Sequence, residues 1–434
     1  MRLGGRLAAA IEVLEDIDGR HRPAADALKD WGLSHRFAGA GDRAAIGNIV
    51  YDALRHRRTA SWLLGEETAR ARAFGALLLD GGMDAHALNA GLEGDRFAPA
   101  PLSQSEIAHA RDRRLGDAPD AVSADCPDWC VPLFERAFGK SWIGEAAALS
   151  GRPPLDLRVN TLKADRERTL EALKDAGAGP CPIMSTGIRV PPIAGNGRHP
   201  NVQVEPAFQK GWFEIQDEGS QIVADLALAA DRCVAGGTAQ VLDFCAGAGG
   251  KTLALSASMR NHGQIFAHDA DKARLAPIFD RVRRAGCRNV QVIQPPALPP
   301  LEGSMDLVLV DAPCTGSGTW RRRPDSKWRM PARPLTPRQA APAAILEDAR
   351  RYVKPGGSLA YITCSVFREE NADQVSAFLT RNRGFRPLDH EELWRARHPD
   401  HPDVVRGEPL GCVVLTPART GTDGFFCSIL RRVA

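Results

Sequence analysis

The chain has 434 residues, room for two or three domains with separate cores, and its 44% apolar and 25% charged residues are those of a soluble globular protein. A balance of 56 basic against 53 acidic residues gives a net charge of +3, which admits a nucleic-acid partner only if the positive charge is clustered. No apolar run is long enough for a membrane span and no signal-peptide core follows the first residues, so a cytoplasmic protein without a membrane partner is expected. The 10 cysteines show no disulfide-type spacing, and the one close pair, Cys126 and Cys130, lacks a second pair or suitable histidines. Free thiols and no metal are therefore expected.

Leu3, Leu7, Ile11 and Leu14 share one helical face, a second short helix starts at Pro23, and a third is predicted from Asp42, as N-cap, to about Arg57. Arg55-His-Arg-Arg58 ends that helix and reads as a solvated face favourable to the helix dipole, with phosphate binding as the alternative. Thr68 to Leu79 is a fourth helix. Residues 81–125, rich in Gly, Ala, Pro and Asp, read as connection.

Trp129 to Leu149 is helical again, and Pro153-Pro154 ends it. Leu155 to Asn160 alternates as a strand, Arg166 to Asp175 suits a helix, and Gly187 to Pro191 suits a second strand, which together predict a small α+β domain. A helix follows Asp217 through Ala230. From Val241 onward strands and helices alternate: strands at Gln264 to Asp269, Val290 to Ile293, Met305 to Val310 and Ser358 to Thr363, with helices at Lys272 to Ala285, Ile345 to Val353 and Glu369 to Arg381. That alternation predicts a doubly wound, mostly parallel α/β sheet, to which Gly411 to Leu415 and Phe425 to Leu430 add an antiparallel edge. The expected division is 1–122 helical, 123–207 small α+β, and 208–434 α/β.

Within the last part, Val241-Leu-Asp-Phe-Cys-Ala-Gly-Ala-Gly-Gly-Lys-Thr252 is a strand, an acid, a glycine turn and a helix start. Glycines let the backbone approach a ligand and present bare N–H groups to it, the design of a nucleotide-type cofactor pocket. Asp269, about 20 residues beyond the glycines and at the next strand end, is a candidate ribose ligand.

Ligands of open α/β sheets lie beyond the carboxyl ends of the strands. Asp311-Ala-Pro-Cys-Thr-Gly316 and Thr363-Cys-Ser365 both occupy such ends, and neighbouring strands about 4.8 Å apart would aim Cys314 and Cys364 into one pocket. Carbon 5 of cytosine becomes a nucleophile only after addition at carbon 6, a task suited to a thiolate, and Asp311 is placed to hydrogen-bond the base. Cys233, Cys287, Cys412 and Cys427 lie in or beside apolar segments and read as small buried hydrophobes. In the loop from Trp320 to Arg329, Arg321, Arg322, Arg323, Lys327 and Trp328 read as contacts to RNA or DNA phosphates and bases.

These motifs together resemble the RsmB/Sun (NOP2-like) family of RNA cytosine-5 methyltransferases. The resemblance is carried by Leu157-Arg-Val-Asn-Thr-Leu-Lys163, Gln216-Asp-Glu-Gly-Ser-Gln221, Asp243 to Thr252, Asp311-Ala-Pro-Cys314, Pro324-Asp-Ser-Lys-Trp328, Thr363-Cys-Ser-Val366 with Glu370-Asn371, and Asp423-Gly-Phe-Phe426. It implies a class I, Rossmann-like methyltransferase domain preceded by a NusB-like RNA-binding domain and a small RNA-holding domain. It implies S-adenosylmethionine as cofactor, bound by Cys245, Ala246, Gly247, Ala248, Gly249, Gly250, Lys251, Asp269 and Asp311. It also implies Cys364 as nucleophile and Cys314 in product release, acting on ribosomal RNA of the 16S type as a monomer. The same chemistry on tRNA, and a non-catalytic RNA-binding assembly factor, are the alternatives. Three positions depart from the family pattern: Ala248 for a proline, Pro296 where an acid is usual after the third strand, and Pro342 for a glutamine.

Overall fold

Buried stripes at helical spacing account for the N-terminal helices of the computed structural model, which describes residues 1–193, 195, 197–230, 238–330, 336–401 and 411–433. Cys233 lies outside the described residues. The chain divides into two compact units, one of Met1–Arg152, Pro192–Arg198 and Trp320–Arg333, the other of Pro153–Pro191, His199–Thr319 and Pro334–Ala434.

In the first unit, helices Leu3–Arg20, Ala24–Ser34, Ala40–Arg55 and Ala69–Asp80 enclose a core that includes Leu7, Leu14, Ile46, Val50 and Phe74. Asp42 is not the N-cap; Gly39 holds that position, and the Asp42 carboxylate accepts from Arg6 at 2.9 Å. The basic run after Ala40–Arg55 is not a solvated face either. Arg55 is bonded to Asp52, His56 lies between Asp80 and Asp125, Arg57 reaches Asp18 and Arg58 reaches Asp128. The run breaks one helix and starts another, Arg57–Leu64, whose first N–H groups, of Arg58 and Thr59, donate to Asp125 at 2.9 and 3.0 Å. Residues 81–125 also contain more structure than expected: helices Ala85–Ala90 and Gln104–Asp112, the latter opened by a capping box between Ser103 and Glu106.

The segment from Trp320 belongs to this same unit. Trp320 is 1% exposed and meets Trp129 and Phe134 edge to face, while the Trp328 indole donates to the Leu54 carbonyl at 2.7 Å. Lys327, 1% exposed, donates to the Asp125 carbonyl at 2.5 Å and to the Ser150 hydroxyl at 2.8 Å. Burying one tryptophan is worth up to about 4–6 kcal/mol, comparable to the several kcal/mol that a buried ammonium costs before its hydrogen bonds are counted. The expectation of RNA contact is thereby corrected for Lys327 and Arg321, both buried, since an ammonium with no exposed face meets no phosphate. Arg322 is half-buried and Arg323 exposed.

The second unit holds two sheets. Strands β1 (Leu155–Val159), β2 (Gly179–Pro180), β3 (Gly187–Val190) and β4 (Phe213–Ile215) form an antiparallel sheet in the order β2-β3-β1-β4. Strands β5 (Gln240–Asp243), β6 (Gln264–Ala267), β7 (Val290–Val292), β8 (Met305–Asp311) and β9 (Val353–Thr363) are mutually parallel, and β10 (Phe385–Pro387), β11 (Val413–Leu415) and β12 (Phe425–Arg432) extend them. The order is β10-β12-β9-β8-β5-β6-β7, with β11 also on β12. The two late strands add the expected antiparallel edge: β12 lies antiparallel on β9, and β11 and the short β10 pair with its far side. Near-continuous apolar runs in β8 and β9 fit burial on both faces. The predicted helix from Lys272 is two, Lys272–Leu275 and Ile278–Ala285, interrupted at Pro277, whereas Pro342 is accommodated inside Thr336–Ala349.

Candidate active site

From β5 the chain runs to β6 and β7 on one side and returns through β8 to the other, which makes the β5–β8 boundary a topological switch point. The glycine turn leaves β5 there. Gly247 and Gly249 have φ of +51° and +84°, the left-handed region, and a Cβ on Gly249 would stand 2.5 Å from the Ile278 side chain. The Gly247 N–H donates to Asp269 at 2.9 Å, and the Ala246 N–H donates to the His268 carbonyl at 2.8 Å. Thr252 reaches back from helix Gly250–Ser258 to Asp243 at 2.6 Å. Complete burial raises the Asp243 carboxyl to about 7, against the lowering effect of that hydrogen bond, and its other oxygen has no partner among the described residues.

Around this turn stand the other expected residues. Asp311, at the end of β8, accepts from the buried Lys251 ammonium at 2.6 Å. Asp269 is almost fully buried beside Gly247, and burial pushes the Cys245 thiol up. Pro296 is exposed in a short turn past β7 and offers no carboxylate.

Parallel pairing of β8 with β9 sets Asp311 opposite Ile362, and the two thiols follow immediately. Cys314 and Cys364 are 3.5 Å apart, sulfur to sulfur, and both are partly exposed. Their turns are joined by several bonds. The Gly318 N–H donates to the Cys364 carbonyl at 2.9 Å, and the Ser317 and Ser365 hydroxyls are 3.0 Å apart. Gly318 also receives the Asp423-Gly-Phe-Phe426 turn: its carbonyl accepts from the Gly424 N–H at 2.8 Å, and a Cβ on Gly318 would meet the Gly424 carbonyl at 2.1 Å.

Several supporting residues escaped the sequence reading. Arg158 donates to the Gly250 carbonyl at 2.8 Å, Arg281 donates to the Ala248 carbonyl at 2.8 Å, and Asn160 binds the carbonyls of Gly211 and Ala285. The Leu157 to Lys163 motif thus braces the glycine turn from the small sheet. Arg158 and Asn160, on either side of an apolar residue in a strand, were the available signal. Asp156, Cys181 and Glu218 also converge, but Arg189 pairs with both carboxylates, so their charge is already matched by protein.

A family model described as 16S rRNA methyltransferase RsmB/F matches residues 235–431, and one described as Methyltr_RsmF/B-like, ferredoxin-like domain matches residues 126–192. A probable ribosomal RNA small subunit methyltransferase B from Synechocystis is 30% identical over 318 residues, 70% of this chain and 66% of that protein. The match to the Salmonella arizonae protein of that type covers 58% of its length, so the chain spans two thirds or less of these curated relatives. Among solved structures, NSun6 from Pyrococcus horikoshii with SFG is 23% identical with a TM-score of 0.57, covering 71% of this chain and 98% of that one. A methyltransferase homolog protein from the same organism is 26% identical with a TM-score of 0.56, covering 72% and 97%. With the family model laid over the sheet that carries both thiols and the glycine turn, the chain belongs to the RsmB/Sun family.

Proposed function

We propose that the protein methylates carbon 5 of a cytosine in RNA, with small-subunit ribosomal RNA as substrate and S-adenosylmethionine as donor. The observation that carries this reading is the pair of sulfurs 3.5 Å apart at the ends of β8 and β9, next to the Lys251–Asp311 pair and the glycine turn. The donor set suits that cofactor: carboxylates at Asp269 and Asp311 face hydroxyl and amine groups well, and the left-handed Gly247 directs its N–H at Asp269. When bound, S-adenosylmethionine supplies an electrophilic methyl carbon.

The chain's own groups do the rest. The Cys364 thiolate adds to carbon 6 and pushes its electron pair toward carbon 5, while Asp311 holds the edge of the base. Carbon 5, made nucleophilic in this way, could then accept the methyl group that the donor would supply. Removal of the carbon 5 proton then restores the ring double bond and expels Cys364 as thiolate, with Cys314 serving that release.

The test is incubation with labelled methyl donor and unmodified 16S RNA or tRNA, followed by bisulfite mapping of the product. Cys364→Ala is expected to abolish incorporation while cofactor binding is retained. Equal incorporation by that variant, or methylation at a position other than carbon 5, overturns the reading.

A further inference from the structure

Beneath the thiols lie two residues to which the transfer itself gives no task. Glu370 is fully buried, and both of its carboxylate oxygens are occupied by Thr315, the residue after Cys314: one accepts from the Thr315 backbone N–H at 2.8 Å, the other from its hydroxyl at 2.6 Å. Asn371 treats the second thiol likewise. Its side-chain oxygen accepts from the Thr363 hydroxyl at 2.5 Å and its amide donates to the Ser365 carbonyl at 2.8 Å, the residues on either side of Cys364. Adjacent residues therefore grip the two cysteine-bearing turns.

Holding the turns together does not require a charge, because the Ser317–Ser365 contact and the Gly318 bond to the Cys364 carbonyl already link them. A buried carboxylate is costly, and a neutral side chain would close similar bonds without that cost. What a carboxylate adds is a field that discourages a second negative charge nearby. We propose that Glu370 is a positioning residue that fixes Cys314 against Cys364 and keeps the proton of the pair on Cys314, leaving Cys364 as the thiolate. This rests on the nucleophile assignment above.

The surroundings agree. The Cys314 thiol is pushed well above its ordinary value by its contact with Cys364, then by burial, and further by the charges of Cys364 and Glu370, against a lowering bond from the Gly316 N–H. Tyr361, whose hydroxyl donates to the Glu370 carbonyl at 2.6 Å, and Cys245 are the other titratable groups of this cluster. None of these groups is a cation that would favour a Cys314 thiolate. Once Cys364 is bonded to carbon 6 its charge is gone and most of the bias on Cys314 lifts, at the stage where product release calls on it.

The test needs neither RNA nor methyl donor, so its outcome is separate from that of the methylation assay. The full chain is treated with iodoacetamide from pH 6 to 9, and alkylation at each cysteine is read by peptide mass spectrometry. In the wild type, Cys364 is expected to react about tenfold faster than Cys314 near neutral pH. Glu370→Gln should bring the ratio toward one and move the Cys314 profile to lower pH. Thr315→Val, which fills the same space, should reduce the ratio about fivefold, and Thr315→Ser should restore it. A wild-type ratio in folded Glu370→Gln overturns the proposal. Should Glu370→Gln not fold, a wild-type ratio in Thr315→Val does so, as does faster labelling of Cys314 in the wild type.

Discussion

Cys314 and Cys364, in turns past the ends of neighbouring strands, bring their sulfurs to 3.5 Å in unlike surroundings. That the two sulfurs lie close together was legible in the sequence, because residues just past the ends of adjacent parallel strands must be neighbours. Which thiol adds to the base was not legible from spacing, and neither was Glu370, whose role depends on reaching across 55 residues to Thr315. For Cys314→Ala the expected outcome is an RNA–protein adduct that survives a denaturing gel, since addition and transfer proceed but release does not. A gel with no such band, from a variant that still binds RNA, would argue against the release role.

Among elements, apolar periodicity identified the N-terminal helices and the alternating strands correctly, because it reports which face is buried. It misread residues 81–125, where composition hid the capping box at Ser103 and Glu106, and in the Trp320 segment the clustered charge suggested nucleic acid where Trp320 packs into a core. Strand β10, which also pairs with β12, escaped notice because its three residues carry little pattern of their own. One tight junction between elements is Gly318 on Gly424. In Gly424→Ala the new Cβ would lie 2.6 Å from the Gly318 backbone and 2.6 Å from the Val366 side chain. Urea unfolding should show a loss of about 1–3 kcal/mol, with slower methyl incorporation because Gly318 also holds the Cys364 carbonyl. Unchanged unfolding would mean that this junction relaxes freely.

At the scale of the whole chain, stability depends on pH through two buried cations of the helical unit. Burial alone would lower the His56 pKa, but its hydrogen bonds to Asp125 and Asp80 outweigh that and raise it from 6.5 to about 9. Its contribution is therefore complete below about pH 6.5 and is lost as pH rises toward 9, an amount on the order of 2–3 kcal/mol. Lys327 has the opposite sign: burial lowers it from 10.5 to about 8, so the cost of holding its charge disappears between those values. The thermal midpoint of the helical unit should fall between pH 6.5 and 8 and then level off. Asp80→Asn should make the fall smaller and end it at lower pH, and a midpoint flat across this range in both proteins would refute the account.

The excursion of Trp320–Arg333 into the helical unit has a genetic corollary. Its core is written in separate stretches of the gene, so it cannot be gained, lost or exchanged by one clean cut. A truncation that discards Met1–Arg152 would strand an indole and an ammonium in water, only a few codons after Cys314.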